Sequence, residues 1–367
     1  MKKLRGAFTA LVTPFQPDSR IDWKALERNV EFQLSQGITG LVPCGTTGES
    51  PTLEWPDHRA LMQRVYALVG GKAILIAGTG SNSTEEALRA SREAAACGFA
   101  AVLLVEPYYN KPASRLIRIH YHGRIAREIW EINSDTQVIP YIIPGRTCCK
   151  MEPVDLALLA EQHPNVRAVK EATGDLDNMA LTRQLVGPDF SILSGDDDKT
   201  ATMMDPEDKA GKIIQGDGVI SVMSNIAPAA VSQMVLAFFQ GDRDRSLKIA
   251  DQLSPLFKLV GVAVPSVREF RGSQYIVTDK FPNPCAIKTM MAGLGMDNGT
   301  FRPPLGLMTA AAVATVREAL KKIWLQSPWI LQPIEQFYGV NVKELIAKAD
   351  QVLFRCRIHE VRRRGRP

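Results

Sequence analysis

The sequence contains few cysteines. Six are spread over 367 residues, and the only close pair is the adjacent Cys148 and Cys149. Zinc sites and disulfide frameworks both need several cysteines at short, regular spacings. The spacing therefore predicts neither kind of site and favours a reducing compartment.

Long apolar runs are also missing. No stretch approaches the ~20 consecutive apolar residues that a membrane-spanning helix requires. The start of the chain is basic, but Thr9, Thr13 and Pro14 interrupt the apolar run that follows, and no cleavage-site pattern is present. We expect no targeting segment, no membrane association and a cytoplasmic location.

The excess of positive charge is small and local. The sequence has 44 Lys and Arg against 39 Asp and Glu, a net charge of +5, and arginines 357, 362, 363, 364 and 366 contribute five charges of that sign. The rest of the chain is near neutral and shows no basic face with interleaved aromatics, so nucleic-acid binding is not expected. A run of like charge at a terminus is typical of a solvated tail, with partner binding as the alternative.

What the sequence does contain is eight short apolar, β-branched runs separated by helix-like stretches. The alternation predicts right-handed crossovers and a parallel sheet, and eight repeats predict a closed (β/α)8 TIM barrel. An open doubly wound sheet is the alternative, but no Gly-x-Gly-x-x-Gly follows the first run. The predicted strands are residues 7–14, 40–45, 73–78, 101–106, 137–143, 166–172, 191–194 and 218–224, and the predicted helices are 22–36, 56–69, 84–97, 114–130, 153–161, 175–186 and 200–208.

Three segments follow from this pattern. We predict the barrel at residues 1–227, a C-terminal helical region packed on it at 228–325, and an atypical extension with a basic tail at 326–367. The extension includes a helical stretch at 341–354. Two polar excursions, at 205–215 and 263–282, are interpreted as loops on the barrel rim.

One predicted strand carries a lysine in its middle. A buried ammonium without a partner costs several kcal/mol or loses its proton, so such a lysine is either paired or chemically used. Strand alternation puts Ala168, Lys170 and Ala172 on one face, where the two small residues leave room for another molecule. The alternative is an ion pair with Glu171 or an amine that reaches solvent.

Other strand ends carry polar groups suited to a carboxylate substrate. The turn that includes Thr46 and Thr47 is flanked by glycines and could hold a carboxylate with backbone N–H groups and hydroxyls, or it could be a plain helix cap. Tyr141 lies on an apolar row and needs a hydrogen-bond partner, and Arg146 follows the same strand. Tyrosines 108 and 109, between prolines, could equally be packing residues.

These residue types together permit Schiff-base chemistry. A lysine can condense with a keto acid, and the protonated imine acts as an electron sink that yields an enamine able to attack an aldehyde. Tyr141 is suited to the proton transfers.

Five motifs in order at strand ends carry a family resemblance. From about residue 5 to about residue 319 the chain resembles the pyruvate-dependent class I aldolases, and most closely the 4-hydroxy-tetrahydrodipicolinate synthase (dihydrodipicolinate synthase) family of lysine and diaminopimelate biosynthesis. The motifs are Gly45-Thr46-Thr47-Gly48-Glu49-Ser50, Pro107-Tyr108-Tyr109-Asn110, Val169-Lys170-Glu171-Ala172-Thr173-Gly174, Leu193-Ser194-Gly195-Asp196-Asp197 and Gly218-Val219-Ile220-Ser221-Val222.

The resemblance implies a lyase that condenses pyruvate with L-aspartate 4-semialdehyde to 4-hydroxy-tetrahydrodipicolinate. It implies no metal and no dissociable cofactor, only a covalent pyruvate imine on the lysine, and a homotetramer built as a dimer of dimers. By this resemblance Lys170 forms the imine, and Tyr141, Thr46 and Tyr109 form a proton relay in which Tyr109 reaches a neighbouring subunit. Thr46 and Thr47 would bind the pyruvate carboxylate, and Gly195 and the Ile220 carbonyl would line the pocket. Arg146 would bind the aldehyde substrate.

The resemblance also implies a lysine effector site. For His58 the alternative is a plain helix-surface residue. The chain departs from the family at Ile142, where an Asn is usual, and in its rim insertions and extension. The implied effector positions are Ser50, Trp55, His58, Gly80, Asn82, Glu86 and Tyr108.

Two other functions are weighed against the synthase. One is a related pyruvate-dependent aldolase or lyase for a sugar-derived 2-keto acid, and Arg146 discriminates between the two because a neutral sugar aldehyde has no carboxylate to bind. The other is a non-catalytic barrel that acts as a binding or scaffold protein through its extension.

Overall fold

Eight parallel strands form a closed barrel in the structure, a computed structural model that describes residues 2–205 and 213–353 apart from the side chains of 349–353. Each strand pairs with the next, and the first pairs with the last. The predicted (β/α)8 fold is confirmed, although most strands are shorter than predicted and only β7 has the predicted bounds. They are β1 (Gly6–Ala10), β2 (Gly40–Val42), β3 (Ile74–Gly78), β4 (Ala101–Val105), β5 (Gln137–Ile142), β6 (Ala168–Glu171), β7 (Ser191–Ser194) and β8 (Gly218–Ser221).

Helices connect the strands around the outside of the barrel. The helix predicted at 114–130 is present, but a π-helical segment, Ile117–His122, interrupts it between α4 and α5. Of the helix predicted at 200–208, residues 206–208 lie outside the described residues. The helices are α1 (Trp23–Ser35), α2 (Trp55–Val69), α3 (Thr84–Cys97), α4 (Ser114–Leu116), α5 (Gly123–Ile132), α6 (Pro144–Thr147), α7 (Pro153–Gln162), α8 (Leu176–Val186) and α9 (Thr200–Met204).

Two apolar layers hold the barrel together. Inside the ring, side chains such as Phe8, Ile76 and Ile220 fill the core at no more than 3% exposure, and a second core lies between the strands and the helices. The inner layer contains Ala168 and Ala172, which confirms the strand alternation predicted for the lysine-bearing strand. Lys170 therefore belongs to the inside of the ring.

A group of helices after β8 covers the barrel. The extension beyond residue 326 packs into the same outer core through Leu331 and Ile334, and the hydroxyl of Tyr338 donates to Oδ1 of Asn29 at 2.8 Å. The three-segment division stays a prediction, and residues 354–367, with the arginine-rich tail, lie outside the described residues. These helices are α10 (Pro228–Phe239), α11 (Arg243–Phe257), α12 (Cys285–Gly293), α13 (Ala310–Gln326), α14 (Gln332–Tyr338) and α15 (Val342–Leu353).

The excursion at 263–282 is a β-hairpin, so the loop predicted there is wrong. Strands β9 (Val262–Phe270) and β10 (Ser273–Phe281) pair antiparallel over their full length. The two residues between them, Arg271 and Gly272, have φ of 51° and 77°, the geometry of a type I′ turn. β-branched and aromatic residues on either side of a two-residue turn decided the conformation, whereas our interpretation rested on the polar residues among them. In the other excursion, 206–212 lie outside the described residues, and 213–215 are irregular.

No helix in the described part of the chain is long and apolar enough to cross a membrane.

Candidate active site

Lys170 lies inside the barrel near the carboxyl end of β6. It is only 5% exposed, and its neighbour in register on β5 is Tyr141. The ammonium Nζ lies 4.0 Å from the centroid of the Tyr141 ring. The alternative of an ion pair with Glu171 is wrong, because that carboxylate points to the other face of the strand and accepts from the backbone N of Thr173 and from Nδ2 of Asn178.

Gly195 keeps space open beside the lysine. A Cβ atom at this position would lie 2.6 Å from Cβ of Ala172 and 3.1 Å from Cε of Lys170. The first distance is shorter than side-chain atoms tolerate, so a larger residue would displace the lysine or its neighbour. The structure thus brings Gly195 next to Lys170, and its role in lining the pyruvate pocket stays a prediction.

Asp196 and Asp197 follow β7, and the charge of Lys170 acts on both carboxyl groups. Burial raises the pKa of Asp197 to about 6, against the lowering effect of its hydrogen bonds and of the Lys170 charge. Its Oδ2 accepts from the backbone N of Val222 and of Met223 at 3.0 and 3.1 Å. Asp197 therefore fixes the end of β8, the strand that carries the fully buried Ile220.

An ion pair to α12 anchors the turn that carries Thr46 and Thr47. Glu49, at its end, has a left-handed backbone with φ of 58° and pairs with the fully buried Lys288 of α12. Lys288 also donates to the backbone O of Thr13 at 3.0 Å. This buried ion pair fixes the turn relative to the C-terminal helices.

Arg146 lies in α6 at the mouth of the barrel, where Asn283 links it to the turn that carries Thr47. Its Nη2 donates to the backbone O of Asn283 at 2.9 Å, and Nδ2 of Asn283 donates to Oγ1 of Thr47 at 3.0 Å. Sequence reasoning missed Asn283. It is 236 residues from Thr47 in the chain, and no local pattern could have indicated the contact.

A cavity of about 340 Å³ opens next to these residues. It brings together part of the predicted catalytic set and most of the predicted effector set. Lys170, Thr47, Gly195, Ile220, Asn82 and Tyr109 do not line it, and Lys170 reaches its edge only through the Tyr141 ring. The predicted residues on its wall are Thr46, Tyr141, Arg146, Ser50, Trp55, His58, Gly80, Glu86 and Tyr108.

Tyr109 is the outlier of the predicted set. Its side chain is 83% exposed and its backbone has φ of 76°, a left-handed conformation that is uncommon outside glycine. Within this chain it does not join the site.

His58 is buried on the cavity wall, so the helix-surface alternative is wrong. It is 1% exposed, its ring lies 4.9 Å from the Trp55 ring, and its Nε2 is 3.4 Å from Oγ of Ser50. Burial lowers its pKa to about 4, so the imidazole is neutral at neutral pH. On the same wall, Ser81 donates to Oε2 of Glu86 at 2.6 Å.

Ile142 lies on the outer face of β5 between two buried carboxyl groups. It is opposite Glu171, and Glu106 follows β4 on its other side. Burial raises the pKa of Glu106 to about 8 and that of Glu171 to about 7, and each resists ionisation further because of a nearby negative charge. The side chain of Ile142 between them is apolar and supplies no hydrogen bond to either carboxyl group.

Within residues 2–205 and 213–353, no cluster of three or more His, Cys, Asp or Glu side chains has the arrangement to hold a metal ion.

Comparisons with known proteins place this geometry in context. The model of the "Dihydrodipicolinate synthetase family" matches residues 3–323. A 4-hydroxy-tetrahydrodipicolinate synthase of Endomicrobium trichonymphae is 38% identical over 320 residues, which are 87% of this chain and 98% of that protein.

Solved structures agree. The 4-hydroxy-tetrahydrodipicolinate synthase of Methylacidiphilum fumariolicum SolV superposes with a TM-score of 0.76 at 30% identity and covers 95% of this chain and 99% of its own. A dihydrodipicolinate synthase of Cyanidioschyzon merolae with lysine bound has a TM-score of 0.75 at 33% identity, covering 88% of this chain and all of its own.

Proposed function

Because the chain belongs to the dihydrodipicolinate synthetase family, we propose that it is a lyase that joins pyruvate to L-aspartate 4-semialdehyde. The product is 4-hydroxy-tetrahydrodipicolinate, a precursor of lysine and diaminopimelate. The observation that carries the proposal is a lysine buried inside a closed barrel, stacked on a tyrosine that faces a cavity shared with Thr46 and Arg146.

The chemistry begins at Lys170. Once it has lost its proton, the side-chain amine attacks C2 of pyruvate, water leaves, and the resulting iminium draws electrons from the methyl group. Loss of a methyl proton gives an enamine, whose carbon attacks the aldehyde of the second substrate. The amino group of that substrate then displaces the lysine from C2 as the ring closes, which regenerates the enzyme. The iminium is itself the electron sink, so we propose that the reaction needs no metal and no dissociable cofactor.

The proton transfers are assigned to hydroxyl groups at the carboxyl ends of the strands. Tyr141 lies against the lysine amine and also faces the cavity, so its hydroxyl can move protons between the imine and Thr46. Thr46 and Thr47 would bind the pyruvate carboxylate, in the turn that Lys288 holds in place. Gly195 and Ile220 would line the back of this site.

Arg146 supports the semialdehyde over a sugar-derived substrate. It faces the cavity and has N–H groups beyond the one bonded to Asn283, so it can hold a substrate carboxylate at the mouth. We expect Arg146→Ala to abolish condensation with the semialdehyde while pyruvate imine formation persists. No detectable condensation with the semialdehyde in the parent, together with turnover of a neutral sugar aldehyde that Arg146→Ala leaves unchanged, would favour the sugar-derived keto acid.

The assembly proposed is a dimer of dimers. It is supported by Tyr109, whose strained and exposed position suits a residue that completes the proton relay of a neighbouring subunit. Native mass measurement tests it, and a fully active monomer would contradict it.

Lysine is proposed as an effector at the predicted wall of the cavity. The lysine-bound relative supports it, as do a carboxylate at Glu86 and an aromatic at Trp55 that could hold an ammonium group and its alkyl chain. Inhibition of turnover by lysine, lost in Glu86→Ala, is the expected result. We also propose a cytoplasmic location, which the free state of all five cysteines in the described residues supports.

The deciding experiment traps the imine. Borohydride added with pyruvate should attach one pyruvyl unit to Lys170, and a coupled assay should detect condensation with the semialdehyde. The peptide that contains Lys288, also buried but paired with Glu49, is the internal control and should stay unmodified. An unmodified Lys170 peptide would rule the mechanism out.

A further inference from the structure

Asn283 is the point where the chain returns from the β9–β10 hairpin to the mouth of the barrel. It precedes α12 and is 8% exposed. None of the sequence motifs includes it. Its two contacts, however, go to two residues with separate roles in the proposed reaction.

The side chain of Asn283 acts on Thr47. Nδ2 donates to Oγ1 of Thr47 at 3.0 Å, and the Thr47 side chain is 2% exposed. A hydroxyl that accepts one hydrogen bond has a single proton left to donate. The amide therefore fills one of the two lone pairs of the hydroxyl and leaves its proton available to donate to an anion such as the pyruvate carboxylate.

The main chain of Asn283 acts on Arg146. The guanidinium Nη2 donates to the backbone O of Asn283 at 2.9 Å. A guanidinium is planar, so one fixed N–H sets the direction in which its remaining N–H groups point. This contact does not depend on the side chain at position 283.

The segment that carries Asn283 is anchored close to the same turn. Five residues further on, in α12, Lys288 pairs with Glu49, two residues after Thr47. Asn283, just before α12, and Lys288, within it, thus tie this segment to the carboxylate-binding turn at two points. A residue held this firmly can define the position of its partners.

We propose that Asn283 is a positioning residue for both substrates, its side chain orienting Thr47 toward pyruvate and its main chain orienting Arg146 toward the semialdehyde. The proposal rests on the proposed function. It makes a prediction that a general structural role does not, because the side chain and the main chain serve different substrates.

The test measures two quantities in side-chain variants of Asn283. The first, the pyruvate value, is the pyruvate concentration that gives half-maximal trapping of the imine, and the second is the KM for the semialdehyde. Asn283→Ala removes the amide but keeps the backbone O, so we expect the pyruvate value to rise about tenfold and the semialdehyde KM to change less than about twofold. Asn283→Asp keeps the shape but replaces a donor with an anionic acceptor, so the pyruvate value should rise further, by about a hundredfold. The Asp variant carries the same test if the alanine variant does not fold.

A double-mutant cycle shows whether Asn283 acts through Thr47. In a Thr47→Val background, Asn283→Ala should change the pyruvate value less than about twofold, because the group it orients is already gone. The matched control is Asn133→Ala, at the amino end of the barrel, whose side chain makes comparable bonds to Ala95 and Asp135. It should leave both values unchanged.

Pyruvate half-saturation is measured by borohydride trapping in the absence of the semialdehyde, which separates this proposal from the function. Failure of the unsubstituted chain to trap pyruvate would overturn the proposed function, and the role of Asn283 with it. Trapping by the unsubstituted chain with an unchanged value in both Asn283 variants would overturn the role of Asn283 alone. Equal shifts in both substrate values, or an undiminished effect in the Thr47→Val background, would also overturn it.

Discussion

Two buried lysines show how neighbours decide what a residue can do. Lys288 is fully buried and lies against Glu49 and the backbone O of Thr13, and burial lowers its pKa while Glu49 opposes the shift. Lys170 is buried to almost the same degree but rests on the ring of Tyr141. Glu49 pairs directly with Lys288, whereas Lys170 lies against the Tyr141 ring and near Asp196 and Asp197. The residue type is the same, but the surroundings give Lys288 a structural role and Lys170 the proposed chemical one.

Removing one oxygen at Tyr141 tests the proton relay. Tyr141→Phe keeps the ring against Lys170 but loses the hydroxyl, so we expect kcat to fall by ~10²–10⁴-fold because a positioned acid–base group is lost. Trapping of the pyruvate imine should persist at high pyruvate. The control is Tyr275→Phe on the exposed hairpin, which should match the parent rate. A Tyr141→Phe enzyme with the parent kcat would show that the phenol moves no proton.

The buried carboxyl of Glu106 predicts a pH dependence of stability. Its folded pKa of about 8 lies above the ordinary value of 4.5, so the folded state binds the extra proton across that range. The free energy of unfolding therefore falls as pH rises from about 4.5 to about 8, and Glu171, with a pKa of about 7, acts in the same direction.

Glu106→Gln should remove part of this slope. The amide oxygen can still accept from the backbone N of Met151, which now bonds to Oε1 at 2.7 Å. We expect the variant to be more stable than the parent at pH 8 by a few kcal/mol and similar at pH 5, measured by denaturant unfolding. Glu318→Gln, on the surface, is the control. Equal slopes in parent and Glu106→Gln would contradict a protonated Glu106.

At the scale of elements, the β9–β10 hairpin differs from the rest of the fold. Val262 and Val264 at its base are buried, whereas Phe270 and Ile276 in its outer half are 59% and 79% exposed. A two-stranded ribbon without further contacts is at best marginally stable in water. The base therefore belongs to the body, and the outer half adds nothing to the core in this chain.

Shortening the hairpin tests this division. Replacing residues 266–277 with an Asn-Gly turn should leave the Tm within a few degrees of the parent, because all of the removed residues except Ser266 are exposed. Both KM values should also stay the same. By contrast, Val264→Asp at the base buries a charge, and it should lower the Tm markedly. A large loss of stability on shortening would show that the outer half supports the body.

At the scale of the whole molecule, the extension is part of the hydrophobic core. Leu331 and Ile334 are fully buried, and Tyr338 bonds to Asn29 of α1. The family model ends at residue 323, so this packing lies outside the segment that the model matches. The described part of the extension lies on the helical layer, and none of its residues lines the cavity.

Deleting residues 326–367 separates stability from catalysis. The loss exposes apolar surface on α1 and α13, and we expect a fall of several kcal/mol in the free energy of unfolding, at ~1.5–3 kcal/mol for each large buried side chain removed. Condensation activity at a temperature where the truncated chain is folded should persist. Tyr338→Phe, which removes only the bond to Asn29, should cost far less. Retained activity in the folded truncated chain would rule out the scaffold role of the extension as the main function, whereas loss of all activity would show that the extension is needed for catalysis.

The sequence by itself determined the repeat, the strand alternation and the lysine. Three local patterns carried this information: eight apolar runs, glycine and hydroxyl residues at their ends, and small residues beside Lys170. A closed barrel brings the carboxyl ends of its strands together whatever the sequences of its loops. The same local reasoning failed at the hairpin, where the turn conformation of Arg271 and Gly272 outweighed the polar residues around it.

Only the tertiary structure decided which distant groups meet. Asn283 reaches Thr47 across 236 residues, Lys288 reaches Glu49 across 239, and Glu106 and Glu171 lie on either side of Ile142 because three strands are in register. Contacts of this kind depend on register and helix packing, which no single stretch of sequence encodes. Local pattern fixed the chemistry available to the chain, and the closed geometry of the barrel fixed the partners of each reactive group.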